Sequence, residues 1–289
     1  MEKKRSIILD IIKITCTVCI IFHHYQQLTG TYFYRGLNFY GGRFYFGYPV
    51  ELFFLISGFV MVPYIDRIKD KMSFGRFYAK RLIRLLPTMI VSTILYDILL
   101  FVYINFCEGT IRYPSKIDYF GSFITALGMG NWCITKDYEI NTVNWYVSVL
   151  LICYFLMYLL VFISKKAKIN TAILLAIPIV AGVFRTFGME YSFLPFFSPR
   201  IARGYIHFFG GMLLGIVVLS LTKKYKGYYK PVFAERTGYK KIKKVIAELS
   251  EATLEVYLFQ LIFLLGLIIL SYFTNIRLVS GKRCLSLLW

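Results

Sequence analysis

Charge is scarce in this chain. Only 17% of its 289 residues are Asp, Glu, Lys or Arg, against roughly 25% in ordinary soluble domains. That shortage, with 58% apolar residues and a mean hydropathy of +0.61, excludes intrinsic disorder, a nucleic-acid module and a soluble enzyme as leading readings. Acid is scarcer still, with 15 Asp+Glu against 34 Lys+Arg. Cysteine pairing is almost absent. Cys16 and Cys19 form a lone CxxC inside an apolar stretch, and Cys107, Cys133, Cys153 and Cys284 are scattered. Without a second pair, packing is the better reading than a metal or redox site. No fixed-period repeat and no appended soluble domain is visible.

What the chain does have is long apolar runs, near residues 6–27, 47–64, 86–106, 142–163, 171–187, 201–221 and 253–273. Each suits a membrane span of about 20 residues. The first is too long for a secretory leader, is interrupted by Lys13 and lacks a small-residue cleavage site, so we read it as a retained span. A weaker run at 118–131 reads as a re-entrant segment or short hairpin. Four basic clusters surround these runs: Lys3–Arg5, Arg67–Arg84, Lys165–Lys168 and Lys223–Lys244. With 118–131 not crossing, all four fall on the amino-terminal side. The positive-inside rule then reads them as cytoplasmic loops and places residues 274–289 outside. The fold class is an all-α polytopic membrane protein, a bundle of about 7–10 transmembrane helices. Its setting is a cell-membrane bilayer with the amino terminus inside, with no nucleic-acid partner.

The chemistry concentrates where polar groups enter apolar runs, since buried charge is costly in lipid and marks function. At 100° per residue, Asp10, Lys13, Thr17 and His24 form one stripe on the first span. His24 is the natural general base. Asp10 and Glu51 are candidates to tune it, Glu51 alternatively pairing with a basic group, and Lys13 to stabilise developing negative charge. Ser57-Gly58 in the second span permits close helix approach. Arg81 and Arg84, at i and i+3, put two guanidinium forks on one helix face, suited to phosphate. Trp145, Tyr146 and Arg203 enter later spans, as acceptor contacts or as packing, and a lone His207 reads as a satisfied buried imidazole. The loop at 28–48 crowds Tyr32, Phe33, Tyr34, Phe39, Tyr40, Phe44, Tyr45, Phe46 and Tyr48. It reads as an interfacial aromatic belt, with sugar stacking as the functional alternative.

Six segments occur in an order that resembles a known family: LD-x2-K-x10-H, ELFFLISGF, KRLIRLLP, NWYVSVLLICYFL, YIHFFGGMLLG and TLEVYLFQ. Together they resemble the integral-membrane acyltransferase-3 family, which includes O-acetyltransferases of surface polysaccharides. The resemblance covers about residues 5–270, within a membrane domain drawn at 5–273. It implies an O-acyltransferase that moves an acetyl or other acyl group from cytoplasmic acyl-CoA to a hydroxyl of a surface polysaccharide or lipid-linked glycan. Acyl-CoA is then a co-substrate; no cofactor or metal is implied. The family's functional positions match Lys13, His24, Glu51, Arg81, Arg84 and Trp145.

This chain departs from the family pattern in three places. Lys13 stands where Arg is frequent, and Gln260 where the family often has His. Residues 274–289 form a short tail where a final helix is expected. Two other readings stay open. One is a glycan or lipid transporter using the intramembrane charges, for which the sequence offers no inverted repeats. The other is an inactive, truncated relative that binds rather than catalyses.

Overall fold

The computed structural model describes residues 6–29, 38–40, 46–107, 117–132, 141–187, 195–224 and 237–274. Eleven α-helices are found among them, and no β-strand. They are α1 (Ile7–Thr29), α2 (Pro49–Met61), α3 (Pro63–Lys69), α4 (Phe74–Phe106), α5 (Tyr119–Ala126), α6 (Trp145–Ala167), α7 (Thr171–Thr186), α8 (Pro199–Gly204), α9 (Gly210–Lys224), α10 (Thr237–Glu251) and α11 (Thr253–Thr274).

Five helical stretches are long and apolar enough to cross a membrane: α1, α4, Thr142–Ala167, Pro199–Thr222 and α11. A sixth is the pair α2–α3, bent by 46° where Val62 meets Pro63. The shorter α7 is apolar too. Large side chains stand bare along whole helix faces: Ile83, Ile94, Ile98 and Phe101 on α4, Ile173, Ile177, Val180 and Phe184 on α7. Such faces are stable only against lipid. The chain is a helical, multi-pass membrane protein.

The 118–131 segment does not cross. Its helix α5 has eight residues, a rise of about 12 Å against a hydrocarbon core of about 30 Å. Asp118 caps its start by accepting from the Gly121 N–H at 2.9 Å. Gly128, at φ +72, ends it: its own N–H bonds the Thr125 carbonyl and that of Met129 the Ile124 carbonyl. The chain then turns back onto α6, where the Trp132 indole donates to the Ser148 carbonyl at 3.3 Å.

Two helix crossings set the core. The first joins α2 to the helix formed by α8, a π-turn at Tyr205–Phe209, and α9. Here Gly58 lies against the Phe208 carbonyl and Gly211 against that of Leu55, so close that a Cβ on either would sit 1.8 or 2.0 Å from oxygen. The second packs α11 against α4 and α1. Phe54, Phe77, Met89, Met157, Phe208 and Met212 fill the interior.

Basic segments gather at one end. Tyr158 of α6 donates to the Met72 carbonyl at 2.9 Å, and Lys165 to the Lys69 carbonyl. At the same end α10 packs on the start of α1, where Ser250 donates to the buried Asp10 carboxylate at 2.7 Å. This overturns one expectation. The basic stretch up to Lys244 is not only loop, because α10 occupies its second half.

Candidate functional site

One cavity of about 340 Å³ opens among α1, α2, α3, α4, α6, α10 and α11 at the basic end, a size usual for small-molecule sites. Lys13, Lys80, Arg81 and Arg84 supply four cations to its wall, against the single carboxylate of Glu251. Phe53, Tyr64, Tyr146, Tyr154 and Tyr257 supply aromatic surface. The Ser57 and Tyr146 hydroxyls face each other at 3.1 Å within it.

The two arginines of the i,i+3 pair differ in their surroundings. Arg84 is exposed. Arg81 is buried, and its guanidinium lies 4.0 Å from the Phe77 ring centre and 4.2 Å from that of Tyr64. It donates to the Phe77 carbonyl at 2.9 Å and to the Met61 sulfur at 3.3 Å. No carboxylate neutralises it among the described residues. Planar stacking with a fixed fork is what guanidinium does and ammonium does not.

His24 lies farther along α1, about 16 Å above Lys13 by helical rise. Its buried Nδ1 has no hydrogen-bond partner among the described residues. Facing it from α11 is the buried Gln260, near enough to hydrogen-bond the His24 ring in a relaxed geometry. Both amide atoms of Gln260 likewise lack hydrogen-bonding geometry to any described group. Gln260 follows Tyr257, which lines the cavity, by three residues, a rise of about 4.5 Å.

Next to His24, His23 is buried, with Nδ1 3.0 Å from the Phe39 carbonyl and its ring edge-on to those of His24 and Tyr40. The Gln26 Oε1 accepts from the backbone N–H groups of Phe39 and Tyr40. Of the aromatic loop, Phe39, Tyr40 and Phe46 thus pack back onto α1 and one another. Tyr48 is exposed at the start of α2. Tyr32, Phe33, Tyr34, Phe44 and Tyr45 lie outside the described residues, as does the tail 275–289.

The polar groups expected to tune His24 are elsewhere. Asp10 is held by Ser250 at the far end of α1. Glu51 accepts from Arg203 Nε at 2.7 Å, and the Arg203 guanidinium lies 4.9 Å from the Trp145 ring centre. That set ties α2, α6 and α8 together and leaves Glu51 Oε2 buried without a partner. Lys13 belongs to the cavity wall rather than to the histidine. His207 sits on the π-turn with Nδ1 2.8 Å from the Arg203 carbonyl. Sequence reasoning passed over Lys80, Tyr64, Tyr154 and Ser250, and met Gln260 only as a departure from the family pattern. Among the described residues no group of three His, Cys, Asp or Glu side chains is placed to hold a metal.

A family model described as an acyltransferase domain matches residues 7–234. The chain belongs to the acyltransferase-3 family. It is therefore a membrane acyltransferase, with an acyl donor and an acceptor as its partners. The match ends before α10 and α11, so Ser250 and Tyr257 reach the cavity from outside the matched residues. No curated protein and no solved structure matches the chain.

Proposed function

We propose that this acyltransferase takes an acetyl or other acyl group from acyl-CoA on the cytoplasmic side and places it on a hydroxyl of a surface polysaccharide or lipid-linked glycan. The observation that carries this reading is the cavity with four cations and five aromatic rings, with Tyr257 on its wall three residues before Gln260, the side chain that faces His24. Lys13, Lys80 and Arg84 are suited to phosphates, the aromatic walls to the nucleotide base and the pantetheine arm. Arg81, held by stacking without a carboxylate, keeps its charge available to a phosphate.

The thioester then lies beside His24. His24 takes the proton of the acceptor hydroxyl as that oxygen attacks the thioester carbonyl. The C–O bond forms, the C–S bond breaks, and the thiolate leaves to be protonated. The Gln260 amide, which faces His24 in the resting protein, turns to donate to the developing oxyanion. Asp10 and Glu51 act as positioning residues, the one through α10 and the other through Arg203. The acyl group crosses toward the acceptor while the CoA remains at the basic end.

The test is transfer from radiolabelled acetyl-CoA into envelope glycan, in membrane vesicles carrying this chain or its His24→Ala variant. Label that requires His24 is expected. Equal label from a folded His24→Ala protein would overturn the base assignment. Glycan or lipid translocation with no acetyl-CoA consumed would favour the transporter reading, and neither label nor translocation would favour the binding relative.

A further inference from the structure

Helix α10 carries a second surface that the acyl-transfer site does not use. Its sequence from Lys241 to Glu251 is KIKKVIAELSE. At 100° per residue, Ile242, Val245, Ile246 and Leu249 fall within an arc of about 100°. Three of these side chains are bare: Ile242 is 59% exposed, Val245 54% and Leu249 54%. Lys241 and Lys243 border the arc on its two sides, within about 60° of its edges. Lys244 points the opposite way, within 3.8 Å of Glu248. The arc meets the protein only at its Ile246 edge, which is half-buried beside Ser250, the residue bonded to Asp10; Ile242, Val245 and Leu249 face away.

The chain decides where this face lies. A single residue, Ala252, separates α10 from the membrane-spanning α11, and α10 also packs on the start of the membrane-spanning α1. The helix is thus held at the bilayer boundary, at the basic end of the bundle. An apolar arc with lysines on both margins, fixed at that depth, matches an interfacial helix whose apolar side chains enter the acyl region while the lysines reach headgroup phosphates.

We propose that α10 is an anionic-lipid-binding helix, seated along Ile242, Val245 and Leu249 in the leaflet that faces the basic end, with Lys241 and Lys243 engaging the headgroups. Because Ser250 and Glu251 at its end line the donor cavity, lipid engagement holds one wall of that cavity in place. The inference stands independently of the acyl acceptor and of His24.

The test uses the full chain, one copy per lipid nanodisc, in neutral phosphatidylcholine or in discs with one third phosphatidylglycerol. Hydrogen–deuterium exchange is followed on peptides covering α10. Exchange at 241–249 should be at least about tenfold slower in the anionic discs, since each lysine near an anionic surface adds favourable energy. That difference should vanish in the Lys241→Gln/Lys243→Gln variant, which keeps the apolar arc and good helix formers. A Val245→Asp/Leu249→Asp variant should lose protection in both lipids. Equal exchange of the native protein in both lipids would overturn the proposal. So would a difference that survives removal of the lysines, or protection that appears only with two copies per disc, which would make a second chain the occupant.

Discussion

The crossing of α2 and α9 gives the sharpest mechanical prediction. Gly58 and Gly211 let two helix backbones meet, each glycine lying under a carbonyl of the other helix. An alanine at Gly58 places its Cβ 1.8 Å from the Phe208 oxygen. Carbon and oxygen tolerate about 3.3 Å, so the helices must part by roughly 1.5 Å. Backbone is what is hit, so no rotamer change relieves the clash. Overpacking of this kind costs about 1–3 kcal/mol, and a backbone clash belongs at the upper end. For a chain of this size that corresponds to a drop in Tm of roughly 6–12 °C. Gly210, next to Gly211, is the control, because a Cβ there meets nothing within 4 Å. Gly210→Ala should be neutral or slightly stabilising, alanine being the better helix former. Thermal unfolding of both variants in nanodiscs, followed by tryptophan fluorescence at one scan rate, makes the comparison. If Gly58→Ala melts with Gly210→Ala, the close crossing is not what holds α2.

Two further predictions concern the charged groups. Arg203→Met leaves Glu51 buried with neither oxygen paired, a loss of about 3–5 kcal/mol. The double variant Glu51→Gln/Arg203→Met should recover most of it, and a chemical-denaturation series lacking that recovery would refute the ion-pair account. Arg81→Lys keeps the charge but not the planar stack on Phe77 and Tyr64. It should weaken acyl-CoA binding at least about tenfold, the scale of one lost charge-assisted hydrogen bond, with Tm little changed. Unaltered binding by calorimetry would remove Arg81 from the donor site.

The apolar runs were enough to locate the helices. Each of the seven strong runs became helix, because about 20 apolar residues in lipid have only one way to satisfy their backbone. The weak run at 118–131, read from charge balance as not crossing, holds only the eight-residue α5 and its Gly128 stop, too short to span a bilayer. The basic half of the stretch ending at Lys244 was misread as loop, because charge density hid the apolar arc of Ile242, Val245 and Leu249.

The candidate site was legible in its residue types and not in its pairings. Periodicity along one helix put Asp10, Lys13, Thr17 and His24 on a single stripe, and α1 keeps that stripe. What stands opposite each member depends on which helices come to lie beside α1. Asp10 meets Ser250, 240 residues away, and His24 meets Gln260. Glu51 turns from His24 to Arg203, 152 residues on. The sequence by itself determined the helices, their burial in lipid and the clustering of positive charge at one end, since each follows from local composition against a fixed bilayer thickness. Only the tertiary structure decided which polar groups share a cavity, because that depends on glycine-permitted crossings and on α11 returning to pack between α1 and α4.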